Sequence, residues 1–149
     1  MNRPSLEETF LSIASTLAKR STCLRAAVGC VLVDLAGKIL SVGYNGVIAG
    51  AVHCKPDSPN EQGIPCKGIA LPAGQDSCKA VHAELNALMS CKNLADIHAC
   101  YITHAPCRAC TKALLATPCK YIIFLDSLTE TLETKNLWID TGRRWTCHS

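Results

Sequence analysis

The sequence predicts an α/β fold: a three-layer α/β/α sandwich around a central mixed sheet of about five strands. Three observations carry this expectation. Two apolar runs near the N-terminus are joined by a tight turn and read as a β-hairpin. Strand and helix patterns then alternate, which lays helices against a sheet with parallel neighbours. The 149 residues suit a single core, so one domain is expected over 1–149.

Each element follows from its residues. Residues 5–20 read as a helix, because Ser5 with Glu8 makes a capping-box pattern and Leu6, Phe10, Ile13, Ala14 and Leu17 share one face. Residues 27–34 form a continuous apolar run of strand length, as in a strand buried on both faces. Leu35-Ala36-Gly37-Lys38 is the turn, and residues 38–44 are the second strand. Residues 79–92, rich in alanine and leucine, read as the second helix, 99–103 as a strand, 107–116 as a third helix behind Pro106, and 121–125 as another buried strand. A short helix at 132–139 and a final edge strand at 143–147 complete the pattern. Residues 45–78 stand apart as a loop without periodicity, punctuated by Pro56, Pro59, Pro65 and Pro72. So long a stretch inside a compact domain calls for something other than a core to hold it.

Bulk properties narrow the function. A net charge of +3 is too small to argue for nucleic acid or a membrane surface as partner. The N-terminal segment MNRPSLEETF brings two glutamates and no apolar signal region, and the longest apolar run, residues 26–33, is far short of a membrane span. The sequence therefore predicts a cytoplasmic protein, and a free anionic small molecule is compatible as its substrate, since it needs only a local cluster of positive groups. The eleven cysteines are the outlier. Without a secretory signal and with an odd count they argue against a disulfide scaffold and towards metal ligation for those that cluster. Cys30, Cys91, Cys100 and Cys119, within or beside predicted elements, read as core fillers. Cys147, His148 and His98 carry no expected chemistry.

The chemistry concentrates in two helix starts. His82-Ala83-Glu84 opens one predicted helix, and Pro106-Cys107-Arg108-Ala109-Cys110 opens the next. This order, H-x-E followed by P-C-x-x-C, is the signature of the zinc nucleobase deaminases. Cys107 and Cys110 lie three residues apart, so both sulfurs reach one ion, and the first turn of a helix favours thiolates. His82 supplies a third ligand. Three protein ligands leave a tetrahedral zinc with one open position for water, the mark of a catalytic site. Glu84, two residues beyond His82, does not face the same way and is expected to lean over that position as general acid and base. It would take the water proton, pass it to ring N3 of cytosine while carbon 4 is attacked, and protonate the departing amine. Two other readings stay open at this point: a redox C-x-x-C pair, which leaves His82 and Glu84 unexplained, and a non-enzymatic zinc module.

Further segments carry a resemblance. Cys23-Leu24-Arg25-Ala26-Ala27-Val28-Gly29, Gly43-Tyr44-Asn45-Gly46, His53-Cys54, His82-Ala83-Glu84-Leu85-Asn86-Ala87 and Thr103-His104-Ala105-Pro106-Cys107-Arg108-Ala109-Cys110 resemble, in order, the deoxycytidylate (dCMP) deaminase family over about residues 5–125, in the style of a compact phage or bacterial member. The resemblance implies a cytidine deaminase-like fold, dCMP as substrate and dUMP as product. It also implies a homo-oligomer, commonly a hexamer, activated by dCTP and inhibited by dTTP with Mg²⁺ on the effector phosphates. On that basis Gly43, Tyr44, Asn45 and Gly46 are effector contacts. Arg25 is either a phosphate contact or a solvated surface residue. His104 either lines the pocket, stacking on the base, or simply packs. Ile48 stands where the family often has proline. In some members the positions of Cys23 and Cys54 hold a structural zinc, which Cys66 and Cys78 would complete here, with His53 as an alternative ligand. A nucleic-acid base deaminase, for instance one acting on tRNA, would share the catalytic zinc but should carry a basic strip, and the charge here is modest and dispersed.

Overall fold

The computed structural model describes residues 2–23, 26–51 and 80–148. Arg25, His53, Cys54, Cys66 and Cys78, and most of the expected loop over 45–78, lie outside the described residues.

The chain begins with helix α1, Leu6–Ala18. Both halves of the predicted capping box are present: the Ser5 hydroxyl accepts from the Glu8 amide at 3.1 Å, and the Ser5 amide donates to the Glu8 carboxylate at 3.0 Å. Such a cap is worth about 1 kcal/mol and fixes where the helix starts. The hairpin follows as β1, Gly29–Val33, and β2, Ile39–Tyr44, paired antiparallel. Its turn places Gly37 at φ 81°, a left-handed conformation that glycine adopts without strain. Helix α2, Ala83–Ser90, is shorter than the predicted 79–92. Val81 is held in an extended bridge to Gly46, so the helix begins only after His82. Then come β3, Ala99–His104; α3, Arg108–Leu115; β4, Tyr121–Asp126; α4, Leu132–Ile139; and β5, Arg144–Cys147. A 3₁₀ turn, Leu94–Asp96, leads into β3 and lies outside the predicted elements.

The five strands lie in the order β2-β1-β3-β4-β5. Strand β1 is antiparallel to both neighbours, while β3, β4 and β5 run parallel. Four strands therefore point one way, and the C-terminal ends of β2 and β3 share one edge of the sheet. Alternation along the central strands divides two cores. Cys30, Leu32, Cys100, Ile102, Ile122 and Phe124 face α2, α3 and α4, with Trp138 of α4 fully buried among them. Val31, Val33, Ala99, Tyr101 and Ile123 face α1. This is the three-layer sandwich the sequence predicts. Within α1 most of the predicted face packs on the sheet: Phe10 and Ala14 are buried and Ile13 and Leu17 pack partly buried against the same core, while Leu11 and Ala18 join them and Leu6, in the first turn, stays 64% exposed.

Candidate active site

The site lies along the edge where β2 and β3 end. His82 precedes α2 as its cap residue, with extended backbone (φ −64°, ψ 151°) and no side-chain cap hydrogen bond. Cys107 occupies the equivalent position before α3 (φ −74°, ψ 171°), again without capping through its side chain. Both helices thus forgo the usual polar cap, and these side chains turn to each other. His82 Nδ1 lies 3.5 Å from Cys107 Sγ and 3.4 Å from Cys110 Sγ. Tetrahedral zinc, with bonds of about 2.3 Å to sulfur and 2.0–2.1 Å to nitrogen, separates such donors by about 3.5 Å. The donor set therefore fits zinc in both chemistry and spacing, and it is the only such cluster among the described residues.

Charge and burial complete the arrangement. The Cys107 thiol is pulled down to about 4, first by the hydrogen bond it accepts from Cys110, then by that with His82. Cys110, the donor of that bond and itself buried, is pushed up. A bound cation favours the thiolate of both. Glu84 is 3% exposed, and burial pushes its carboxyl above the ordinary glutamate range against the hydrogen bond from its own amide. The charges of Cys107 and His82 and a hydrogen bond with Cys110 also act on this carboxyl, which therefore lies near the ligand cluster. A carboxyl that holds a proton more readily than usual suits a group that must take one up and release it.

The segment bearing Cys107 is itself braced. The Ala105 amide donates to Asp126 O at 3.0 Å, and the Thr129 hydroxyl donates to Ala105 O at 3.0 Å. Before it, Thr103 Oγ1 accepts from the buried Gly29 amide at 3.2 Å and lies 2.9 Å from His104 Nδ1.

The comparisons with known proteins agree with this geometry. Residues 4–126 match the family described as the cytidine and deoxycytidylate deaminase zinc-binding region. This chain belongs to that deaminase family. Among its relatives, a deoxycytidylate deaminase of Mycobacterium phage D29 is 37% identical over 126 residues, covering 83% of this chain and 97% of the phage protein. Deoxycytidylate deaminase of Schizosaccharomyces pombe is 33% identical over 139 residues, but there this deaminase spans only 41% of the relative's length. In fold, a dCMP deaminase of cyanophage S-TIM5, solved with dCMP and dUMP, superposes with a TM-score of 0.73 at 23% identity over 99% of this chain and 100% of that one.

The other predicted site residues of the deaminase fall in different places. Gly43 and Gly46 serve the backbone: a Cβ on Gly43 would stand 2.4 Å from Ala83 O, so α2 rides directly on β2, and Gly46 pairs with Val81. The Asn45 side chain is spent inside the fold, donating to Ala26 O at 2.6 Å and accepting from the Val28 amide at 2.8 Å. Tyr44 is half-buried beside them. His104 sits at the end of β3, its Nε2 3.7 Å from the Asp126 carboxylate. Cys23 is partly exposed, and the residues expected to join it lie outside the described residues. The four cysteines read as core fillers are all buried, with Cys30 and Cys100 in sulfur contact at 3.5 Å. Sequence reasoning missed Asn86, Thr103 and Thr129. Their partners are main-chain atoms or a neighbouring ring, which no spacing rule announces.

Proposed function

We propose that this chain removes the amino group of the cytosine ring of dCMP by hydrolysis, giving dUMP and ammonia. The observation that carries this reading is the convergence of His82 Nδ1 with the Cys107 and Cys110 sulfurs beside a buried Glu84. It is joined by the likeness over nearly the whole length of a phage protein named for this substrate. His82, Cys107 and Cys110 would hold the zinc, which when bound supplies a Lewis acid that makes water a nucleophile near neutral pH. The two thiolates offset much of the ion's charge, so a base within the site has more to contribute. Glu84 takes a proton from the attacking water and delivers it to ring N3. It then takes the proton of the new C4 hydroxyl and gives it to the leaving amine, so the C4–N bond breaks as the C4 carbonyl forms and ammonia departs.

Finer points rest on the family resemblance. These are regulation by dCTP and dTTP with Mg²⁺ on their phosphates, the segment Gly43-Tyr44-Asn45-Gly46 as effector contact, a phosphate contact at Arg25, a pocket role for His104, and a hexameric assembly. A structural zinc on Cys23, Cys54, Cys66 and Cys78, with His53 as the substitute ligand, belongs with them, and metal analysis giving two zinc ions per chain rather than one would support it.

A substrate panel tests the whole. Ammonia release from dCMP should exceed that from CMP, deoxycytidine and cytidine by at least about tenfold in kcat/KM, a discrimination of roughly 1.4 kcal/mol. Adding dCTP or dTTP with Mg²⁺ should raise or lower it. Release from a tRNA or an oligonucleotide, with none from dCMP, would replace this reading by base deamination in nucleic acid.

A further inference from the structure

The geometry points to Asn86 as the positioning residue of the site: we propose that its side-chain amide holds the start of α2 so that His82 and Glu84 meet the Cys107–Cys110 pair in register. Its Nδ2 donates to Tyr44 O at 2.8 Å and to Val81 O at 3.4 Å. One acceptor is the last residue of β2, and the other directly precedes the His82 ligand. Both partners are carbonyls, so the amide orientation is set by its acceptors. Asn86 therefore ties three things together one turn into α2: the sheet edge, the extended segment entering the helix, and the helix itself.

The need for such a tie follows from the local structure. His82 lacks a capping hydrogen bond, because its imidazole is turned to the two sulfurs. The start of α2 is therefore not held in the ordinary way. Gly43 sets how closely α2 approaches β2, and the Ser41 hydroxyl, donating to Ala87 O at 2.6 Å, anchors the next turn. The Val81–Gly46 bridge holds the entering strand. Asn86 supplies the side-chain contact that fixes the rotation of the first turn. Side-chain tips lie roughly 5 Å from a helix axis, so a rotation of about 10° displaces the ligand atom by about 1 Å. Ligand distances tolerate only about 0.2 Å.

This inference rests on the deaminase reading for its kinetic part, but not for its metal part. Asn86→Ala loses the donor while raising helix propensity, and Asn86→Asp keeps the shape but presents no donor to the carbonyls. Each should bind zinc about 10–100-fold more weakly in a chelator competition, the effect seen when a group supporting a ligand is removed. With cobalt in place of zinc, the thiolate-to-metal and d–d absorption of the site should shift, after subtraction of the His82→Ala protein's spectrum. At saturating zinc, kcat for dCMP should fall by a similar factor with KM changed less than about threefold, and Asn86→Gln should recover part of the loss. Metal affinity and cobalt spectra equal to the parent's in both Asn86→Ala and Asn86→Asp would overturn the proposal, whatever the loss in Tm. If the parent binds zinc but does not deaminate dCMP, the functional reading fails, and the metal measurements still judge Asn86.

Discussion

At the scale of single residues, burial separates Glu84 from an ordinary surface glutamate. A carboxyl at 3% exposure against a thiol pair is costly to keep unless it has work there. Glu84→Gln removes the transferable proton but preserves the shape. It should cut turnover of dCMP by about 10²–10⁴-fold, the worth of a positioned acid–base group, while metal analysis finds the same zinc content as the parent. A variant with normal turnover would take the proton transfers away from this residue. Thr111 offers the opposite case. Its hydroxyl oxygen is buried in α3 without a hydrogen-bond partner among the described residues. Thr111→Val keeps the β-branched shape and discards the stranded polar group. It should be stabilising by about 1 kcal/mol, seen as a rise in Tm of about 2–4 °C.

At the scale of elements, α3 is held at both ends. Its first turn carries the two cysteines, and its last carbonyls are gathered by Arg143 from the β5 side. The guanidinium donates from Nη1 to Thr117 O at 3.1 Å and Cys119 O at 2.9 Å, and from Nη2 to Leu115 O at 3.2 Å. It also lies over the buried Trp138 ring, 5.0 Å from the centroid. A cation on the C-terminal carbonyls of a helix complements the helix dipole. Arg143→Leu should therefore cost about 2 kcal/mol, lowering Tm by roughly 4–8 °C, without altering the zinc stoichiometry. Legibility from sequence follows the same division between local and distant causes. The α1 capping box, the hairpin turn and the C-x-x-C pair were readable because each is a relation between residues a few positions apart. The start of α2 departs from its composition: residues 79–81 suit a helix, whereas Val81 is claimed by Gly46, far away in the chain. The role of Gly43 and Tyr44 in seating α2, and of Asn45 in holding the segment before β1, was hidden for the same reason: their partners are Ala83 and Asn86 in α2, and backbone atoms of Val28 and Ala26.

At the scale of the whole molecule, the predicted zinc ligands come from His82 and from Cys107 and Cys110, with His82 and Cys107 25 positions apart. The ion would join two helices across the sheet edge. Anything that binds only the folded chain stabilises it by mass action, about 4 kcal/mol when free ligand is a thousandfold above Kd. Stripping zinc with a chelator should then lower Tm by roughly 10 °C and abolish deamination, and adding zinc back should restore both. A Tm unmoved by metal removal would mean that the ion contributes nothing to the fold. The layer order and the mixed sheet were legible in the alternating pattern of strands and helices. The exchange of Leu6 for Leu11 on the buried face of α1 was not, because both fit a helical stripe and only the position of the sheet chooses between them.

The packing of cysteine where valine or alanine would serve has a practical corollary. Cys30, Cys91, Cys100 and Cys119 are sealed from solvent inside one layer; burial raises the pKa of Cys119, and the hydrogen bond with Cys30, then burial, raises that of Cys100. Water-soluble alkylating reagents should pass over all of them in the native protein and find them together once that layer comes apart. The molecule thus carries its own reporter of unfolding: mass spectra of a timed iodoacetamide reaction should show these adducts appearing as a group instead of as a ladder.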